Sequence, residues 1–316
     1  MTSPLTFDID DATVADYLAF AESDNLAYVD AFEERVIADL LTDDTELGDP
    51  MPWSKTSGLF RFRPGEITIW CGINGHKKSM VSGQAMLHLL PYSNVMIASM
   101  EMKPEKTINR LLKQANGETP TVDYAKNWIS WAKRRLAIYD QLDFVKTDRV
   151  LAAVHYAATQ MGAKHCLIDS MMKCVSGQDD YNAQKDFIGK LTQLAKVHDI
   201  HIHLVHHIRK GRSEEEIPDK FDVKGAGDIT DQTDNLIIVH TNKRKVRILE
   251  ESTDQDEIMQ AKKMRDLTLR VAKQRHGEFE GDIKLWFHPQ SLQHTGESAR
   301  GAMPWPNPST TLEDML

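Results

Sequence analysis

Apolar residues in the first 45 positions recur at helical spacing, as Val14, Tyr17 and Leu18 and then Phe32, Val36, Leu40 and Leu41, with acids between them. That spacing predicts short amphipathic helices. They would form either a solvated decoration or an arm that lays its apolar stripe on a neighbouring subunit. Gly48-Asp49-Pro50-Met51-Pro52 breaks the pattern, as glycine and proline do between regular segments. From Phe60 onward, short β-rich runs alternate with helical stretches. Strands are expected at Ile67–Cys71, Val95–Met100, His165–Ile168, His201–Val205, Leu236–His240, Leu267–Val271 and Ile283–Phe287. Helices are expected at Lys78–Leu90, Pro104–Asn116, Val122–Tyr139, Val150–Met161 and Ala183–His198. Such alternation implies an α/β fold, a mostly parallel twisted sheet with helices on both faces. The charged stretch 243–265 reads as a solvated excursion. The end, with Pro304-Trp305-Pro306-Asn307-Pro308 and Leu312–Leu316, reads as a disordered tail. Three parts result: an acidic helical arm at 1–50, a main domain at 51–290 and a tail at 291–316.

Composition sharpens this division. Residues 1–50 hold 14 Asp and Glu against one Arg, a net −13, which leaves +4 for residues 51–316 out of the −9 of the whole chain. A mildly positive main domain is compatible with a phosphate backbone as partner, because clustered cations matter more than the sum. The three cysteines, Cys71, Cys166 and Cys174, have no zinc-type spacing, and two sit in apolar runs where a buried free thiol is the ordinary reading. A reducing cytoplasm fits that usage. No apolar stretch approaches the roughly 18 residues of a membrane span, so no membrane partner is expected.

Chemistry concentrates in Gly72-Ile73-Asn74-Gly75-His76-Lys77-Lys78-Ser79, between an expected strand and an expected helix. A phosphate loop needs a glycine-bearing turn whose backbone N–H groups surround the phosphates, a Lys for the β/γ-phosphates and a Ser or Thr for magnesium. Lys78 and Ser79 stand at the required spacing, which makes Gly72 through Ser79 candidate nucleotide-binding residues. Lys77 is irregular: the motif has glycine there, so Lys77 must take a left-handed backbone at about 1 kcal/mol of strain. Lys164-His165-Cys166-Leu167-Ile168-Asp169 is an apolar strand ending on a carboxylate, which would hold the magnesium together with Ser79. Ser170 follows Asp169, so a catalytic base must come from elsewhere. Glu101, at the end of the neighbouring strand, is the candidate; otherwise it is a helix-start acid ahead of Pro104. His201, His203, His206 and His207 also admit a metal reading, but no neighbouring Cys or Asp completes a site.

Six blocks in this order resemble the RecA-like motor domain of replicative hexameric helicases, the DnaB family and the helicase half of phage helicase-primases. They are Gly72–Ser79, Ser99-Met100-Glu101-Met102, Leu167-Ile168-Asp169, Val205-His206-His207, Lys224-Gly225-Ala226-Gly227 and Ala272-Lys273-Gln274-Arg275-His276-Gly277. The resemblance covers roughly residues 53–290. It implies a RecA-like P-loop fold and a ring-forming enzyme, a hexamer by the family's habit, that hydrolyses ATP or another nucleoside triphosphate with Mg2+. Such an enzyme translocates on single-stranded DNA and unwinds duplex. Arg275 would be an arginine finger reaching the neighbouring subunit's γ-phosphate, assisted by Lys273, and His207 a γ-phosphate sensor, with His206 as fallback. Lys224, Gly225 and Gly227 would follow single-stranded DNA, and a second channel loop would lie near Lys173 to Gln178. Only about 50 acidic residues precede the motor, too few for a primase domain, which points to a phage-type helicase in a bacterial host cytoplasm. The arm would link protomers, and the tail would contact a primase, polymerase or single-strand-binding protein. Two other functions share these motifs: a RecA-like recombinase or regulatory ATPase, and a scaffold or loader whose loop Lys77 disables.

Overall fold

The structure, a computed structural model, describes residues 6–21, 26–41, 47–175, 180–208, 213–223, 226–297 and 301–305. Helices α1 (Asp11–Ala21) and α2 (Glu33–Leu41) precede a two-stranded pair, β1 (Asp49–Pro50) and β2 (Arg61–Phe62). Next come β3 (Ile67–Gly72), α3 (Lys78–Leu89), β4 (Asn94–Ser99), α4 (Pro104–Asn116), α5 (Val122–Ala132) and β5 (Leu136–Tyr139). The chain continues through α6 (Thr147–Gln160), β6 (Ala163–Asp169), α7 (Tyr181–His198), β7 (His201–His207), α8 (Ala226–Gln232) and β8 (Asn235–Thr241). Helices α9 (Lys243–Glu251) and α10 (Gln255–Lys263) lead to β9 (Leu267–Gln274), β10 (Gly281–His288) and β11 (Gln293–Thr295).

Nine strands form one sheet in the order β11-β10-β9-β8-β3-β7-β6-β4-β5. The strands from β8 to β5 run parallel, and β9, β10 and β11 extend the sheet antiparallel. The central strand β3 is buried along its whole length, as a strand covered on both faces requires. Its pleat sends Ile67, Ile69 and Cys71 into one core, with α6 and α7, and Trp70 into the other, with α3 and α4. Each large apolar side chain buried this way stabilises the fold by roughly 1.5–3 kcal/mol. The cysteines are free and buried. Among the described residues no helix is long and apolar enough to cross a membrane.

Helix α4 begins at Pro104 and stops at Gly117, whose φ of 82° ends it, matching the expected bounds. Three expectations need correction. The helix read over Val122–Tyr139 ends at Ala132; Arg134 turns left-handed with φ 66°, and Leu136–Tyr139 pairs with β4 as the edge strand. The stretch 243–265 is two helices rather than a wholly solvated excursion. Lys245 is buried there, with its Nζ 2.7 Å from Asp266 Oδ1. The stretch from 291 is not tail at its start. Gln293–Thr295 forms β11, where His294 exchanges two backbone hydrogen bonds with the Gln84 amide of α3. Trp305 stands edge-on to Trp131 at 4.9 Å and donates from its indole to Leu87 O. Leu312–Leu316 lies outside the described residues.

The acidic start does fold into helices. Tyr17 of α1 is buried against α6, and Arg149 pairs with Asp11 at 2.6 Å. Phe20 packs its ring on His155 and His198. Helix α2 instead leaves Val36, Ile37, Leu40 and Leu41 exposed.

Candidate active site at the carboxyl edge of the sheet

The ladder register aligns the strand ends that matter. Gly72 stands beside His207, and Ser99 beside Asp169, so the ends of β3, β7, β4 and β6 border one crevice. Gly72 is required by packing: a Cβ there would lie 2.6 Å from the Val239 carbonyl oxygen of β8. Asn74 and Gly75 are exposed, and Gly75 turns with φ 82°. Lys77 adopts φ 64° and ψ 19° as the residue capping α3, the left-handed geometry the motif demands, at a cost of about 1 kcal/mol for a residue with a Cβ. The His76 ring turns inward, accepting from the Thr241 N–H at 3.2 Å. Burial pushes its pKa down to about 4. His76 therefore braces the loop against β8, and its side chain does not face a phosphate.

The Lys78 ammonium donates to Gly72 O at 2.8 Å and Ile73 O at 3.1 Å, and lies 3.2 Å from His207 Nδ1. A cation folded back into acceptors of its own loop is poised to exchange them for anionic oxygens. Burial lowers the Lys78 pKa, opposed by Cys71, Asp169 and Glu101. Asp169 is almost fully buried, which raises its pKa; a hydrogen bond from the Ser79 hydroxyl acts the other way, as do Arg110 and Lys78. A hydroxyl and a carboxylate so paired are the protein ligands a phosphate-bound Mg2+ uses. Glu101 is exposed at the rim, its Oε1 accepting from the Ser170 hydroxyl at 3.0 Å. Its charge is felt by both Asp169 and Lys78.

Sequence reasoning missed Arg110. This α4 residue acts on Asp169 across the crevice, and its Nε is buried with no hydrogen-bond partner. The available signal was an arginine directly preceding the buried pair Leu111 and Leu112.

Lys273 and Arg275 are not brought to this crevice. Gln274 pairs with Asn235, which pairs with Thr68. Thr68 lies four residues before Gly72, about 13 Å along the strand. The two cations therefore sit at the opposite end of the sheet. Gly227 is exposed in the first turn of α8, while Lys224 and Gly225 lie outside the described residues. Lys173 closes a 3-10 turn, Met171–Lys173, and pairs with Asp143 at 3.3 Å; residues 176–178 of that loop also lie outside the described residues.

His201 and His203 do share a strand face, joined by His165 and Asp49, but they form a hydrogen-bonded chain. His165 bridges Asp49 and His203, Trp70 donates to His203, and His201 joins Thr68 to the Arg63 carbonyl. With each ring nitrogen of these three engaged, none is left to ligate.

A family model described as an AAA domain matches residues 52–213. No curated protein sequence matches the chain. Two solved structures similar to it are a DnaB-like replicative helicase studied with its primase interactions and the ATPase domain of a phage helicase. The first is 12% identical with a TM-score of 0.66, covering 90% of this chain and 74% of its own. The second is 13% identical with a TM-score of 0.65, covering 86% of this chain and 99% of its own.

Proposed function

We propose that this chain, which belongs to the AAA domain family and has the RecA-like fold of DnaB-type helicase motor domains, is a ring-forming DNA helicase. It would hydrolyse ATP or another nucleoside triphosphate to move along single-stranded DNA and unwind duplex. One observation carries the reading. Gly72, Lys78, Ser79, Asp169, Glu101 and His207 border a single crevice, while Arg275 and Lys273 lie at the far end of the same sheet. A site so divided is completed by a second copy, which ties hydrolysis to assembly.

In this reading the loop N–H groups and Lys78 bind the phosphates, and Ser79 and Asp169 hold the magnesium. Bound Mg2+ supplies neutralisation of the charge that develops between the β- and γ-phosphates. Glu101, at the solvent rim, accepts the proton of the attacking water, and Ser170 orients its carboxylate. Arg110 supports Asp169 in its ionised form. His207 touches Lys78 and so is placed to report whether the γ-phosphate is present. Arg275 and Lys273 serve the neighbour's phosphates. Lys224, Gly225 and Gly227 follow the DNA backbone without reading bases. The acidic arm at 1–50 links protomers, and the C-terminal segment is the contact for a primase, polymerase or single-strand-binding protein, in a phage-type system working in bacterial cytoplasm.

Phosphate release, measured with and without single-stranded DNA on wild type and Lys78→Ala, tests this. Stimulation by DNA in the wild type, lost in the variant, is expected. A wild type no faster than the variant would leave the scaffold or loader reading. Electron micrographs of filaments coating DNA, with strand exchange and no unwinding, would favour the recombinase reading.

A further inference from the structure

The two cations at the far end of the sheet are held rather than loose. Lys273 Nζ donates to the carbonyls of Thr230 and Thr233, each at 2.6 Å. Arg275 donates from its guanidinium to Asp231 O at 3.3 Å, and its backbone N–H bonds Asp234 O at 3.0 Å. Its guanidinium also pairs with Asp234 Oδ1 at 3.1 Å. These carbonyls close α8 and the link into β8, the end where a helix leaves unpaired acceptors and the negative pole of its dipole.

Asp234 is the unusual member. Its side chain is only 3% exposed, against 38% for the Arg275 side chain. Its second oxygen accepts from the Ile67 N–H at 3.0 Å. Both carboxylate oxygens are thus fixed, one to Arg275 and one to the start of β3, the strand that ends in the phosphate loop. A buried acid kept in one geometry by two partners is a rigid mount for an exposed arginine.

We propose that Asp234 and the terminal carbonyls of α8 form a cradle that aims Lys273 and Arg275 at the phosphate site of a neighbouring copy, with Asp234 as a positioning residue. The proposal rests on the divided-site reading above. It adds a coupling route: Gly227 opens the same short helix whose far end carries the cradle, so a displacement of α8 by bound DNA carries both cations with it.

The cradle predicts a selective kinetic loss. Asp234→Ala should lower kcat by about 100-fold and leave KM within about twofold, because a misaimed finger removes an interaction made in the transition state. Asp234→Glu should recover part of the loss. Adding Asp234→Ala to Arg275→Ala should cost nothing further in kcat, since both remove one interaction. Mixing Asp234→Ala protein with Lys78→Ala protein supplies sites that pair an intact loop with an intact finger, so hydrolysis should exceed that of either alone. Additive losses in the double variant, or no recovery on mixing, would overturn the proposal. A wild type that neither hydrolyses nucleotide nor assembles would overturn it together with the ring reading, while a wild type that does both isolates the cradle as the failing part.

Discussion

Lys77 concentrates the tension between sequence and geometry in a single residue. Its left-handed backbone is legible without the structure, because the spacing from Gly72 to Ser79 fixes what position 77 must do whichever residue occupies it. Lys77→Gly should be more stable than Lys77→Ala by about 1 kcal/mol in urea unfolding, since only the alanine keeps a Cβ in that region. Both should still bind a fluorescent nucleotide, while Lys78→Ala should lose binding. Equal stabilities would mean the loop relaxes away from the left-handed geometry in solution. Resemblance alone favours His207 over His206, and the register that sets Gly72 beside His207 gives the physical reason. Arg110 and Asp234 are not legible in the sequence. Neither belongs to a phosphate-loop or magnesium pattern, and each acquires meaning only through a partner far along the chain, Asp169 or Arg275.

At the level of elements, the central strands read well because each is a short apolar run between turn residues. The error at 122–139 has a clear cause. Lys133-Arg134-Arg135 contains no glycine or proline, so nothing in composition marks where α5 stops, and the apolar spacing runs on into the strand Leu136–Tyr139. The two arm helices behave differently from each other. Helix α1 is seated on its own domain through Tyr17 and Phe20, and Tyr17→Ala should cost roughly 3 kcal/mol, by analogy with other buried aromatics cut to alanine. A cost below about 1 kcal/mol, measured by denaturant unfolding, would mean that the helix is not docked in solution. Helix α2 keeps Leu40 78% exposed, so Leu40→Asp should leave monomer stability unchanged and weaken self-association in sedimentation if the arm links protomers. Unchanged association would remove α2 from the ring interface.

Over the whole molecule, stability should depend on pH through buried imidazoles. Burial pushes His201 down to about 3 and His76 and His294 down to about 4. A base depressed in the folded state binds its proton first in the unfolded chain, so these groups stabilise the fold above about pH 6.5 and that contribution is lost as pH falls towards 4. By about pH 5 each has given up roughly 2 kcal/mol. Glu66 opposes them: burial raises it to about 7, so its favourable contribution is complete below about 4.5 and disappears as pH rises to 7. Glu66→Gln should therefore steepen the acid loss and raise the unfolding temperature above pH 7. A flat profile between pH 7 and 5 in thermal scans would contradict this account. Sequence patterning locates the arm and the main domain but puts the tail boundary too early, because proline and polar residues hide the aromatic anchor Trp305 and the three-residue strand beside it.

That last strand also bears on how the molecule is born. Helix α3, which carries Lys78 at its start, is clasped on its outer side by His294 and Trp305, residues synthesised more than 200 positions after it. As the chain leaves the ribosome, β3 and the loop emerge early, yet the helix behind them stays uncovered until translation is nearly done. Nascent chains stalled before residue 293 should thus be open to proteases and to chaperones that bind exposed apolar surface. The phosphate loop would acquire its final rigidity only in the closing moments of synthesis.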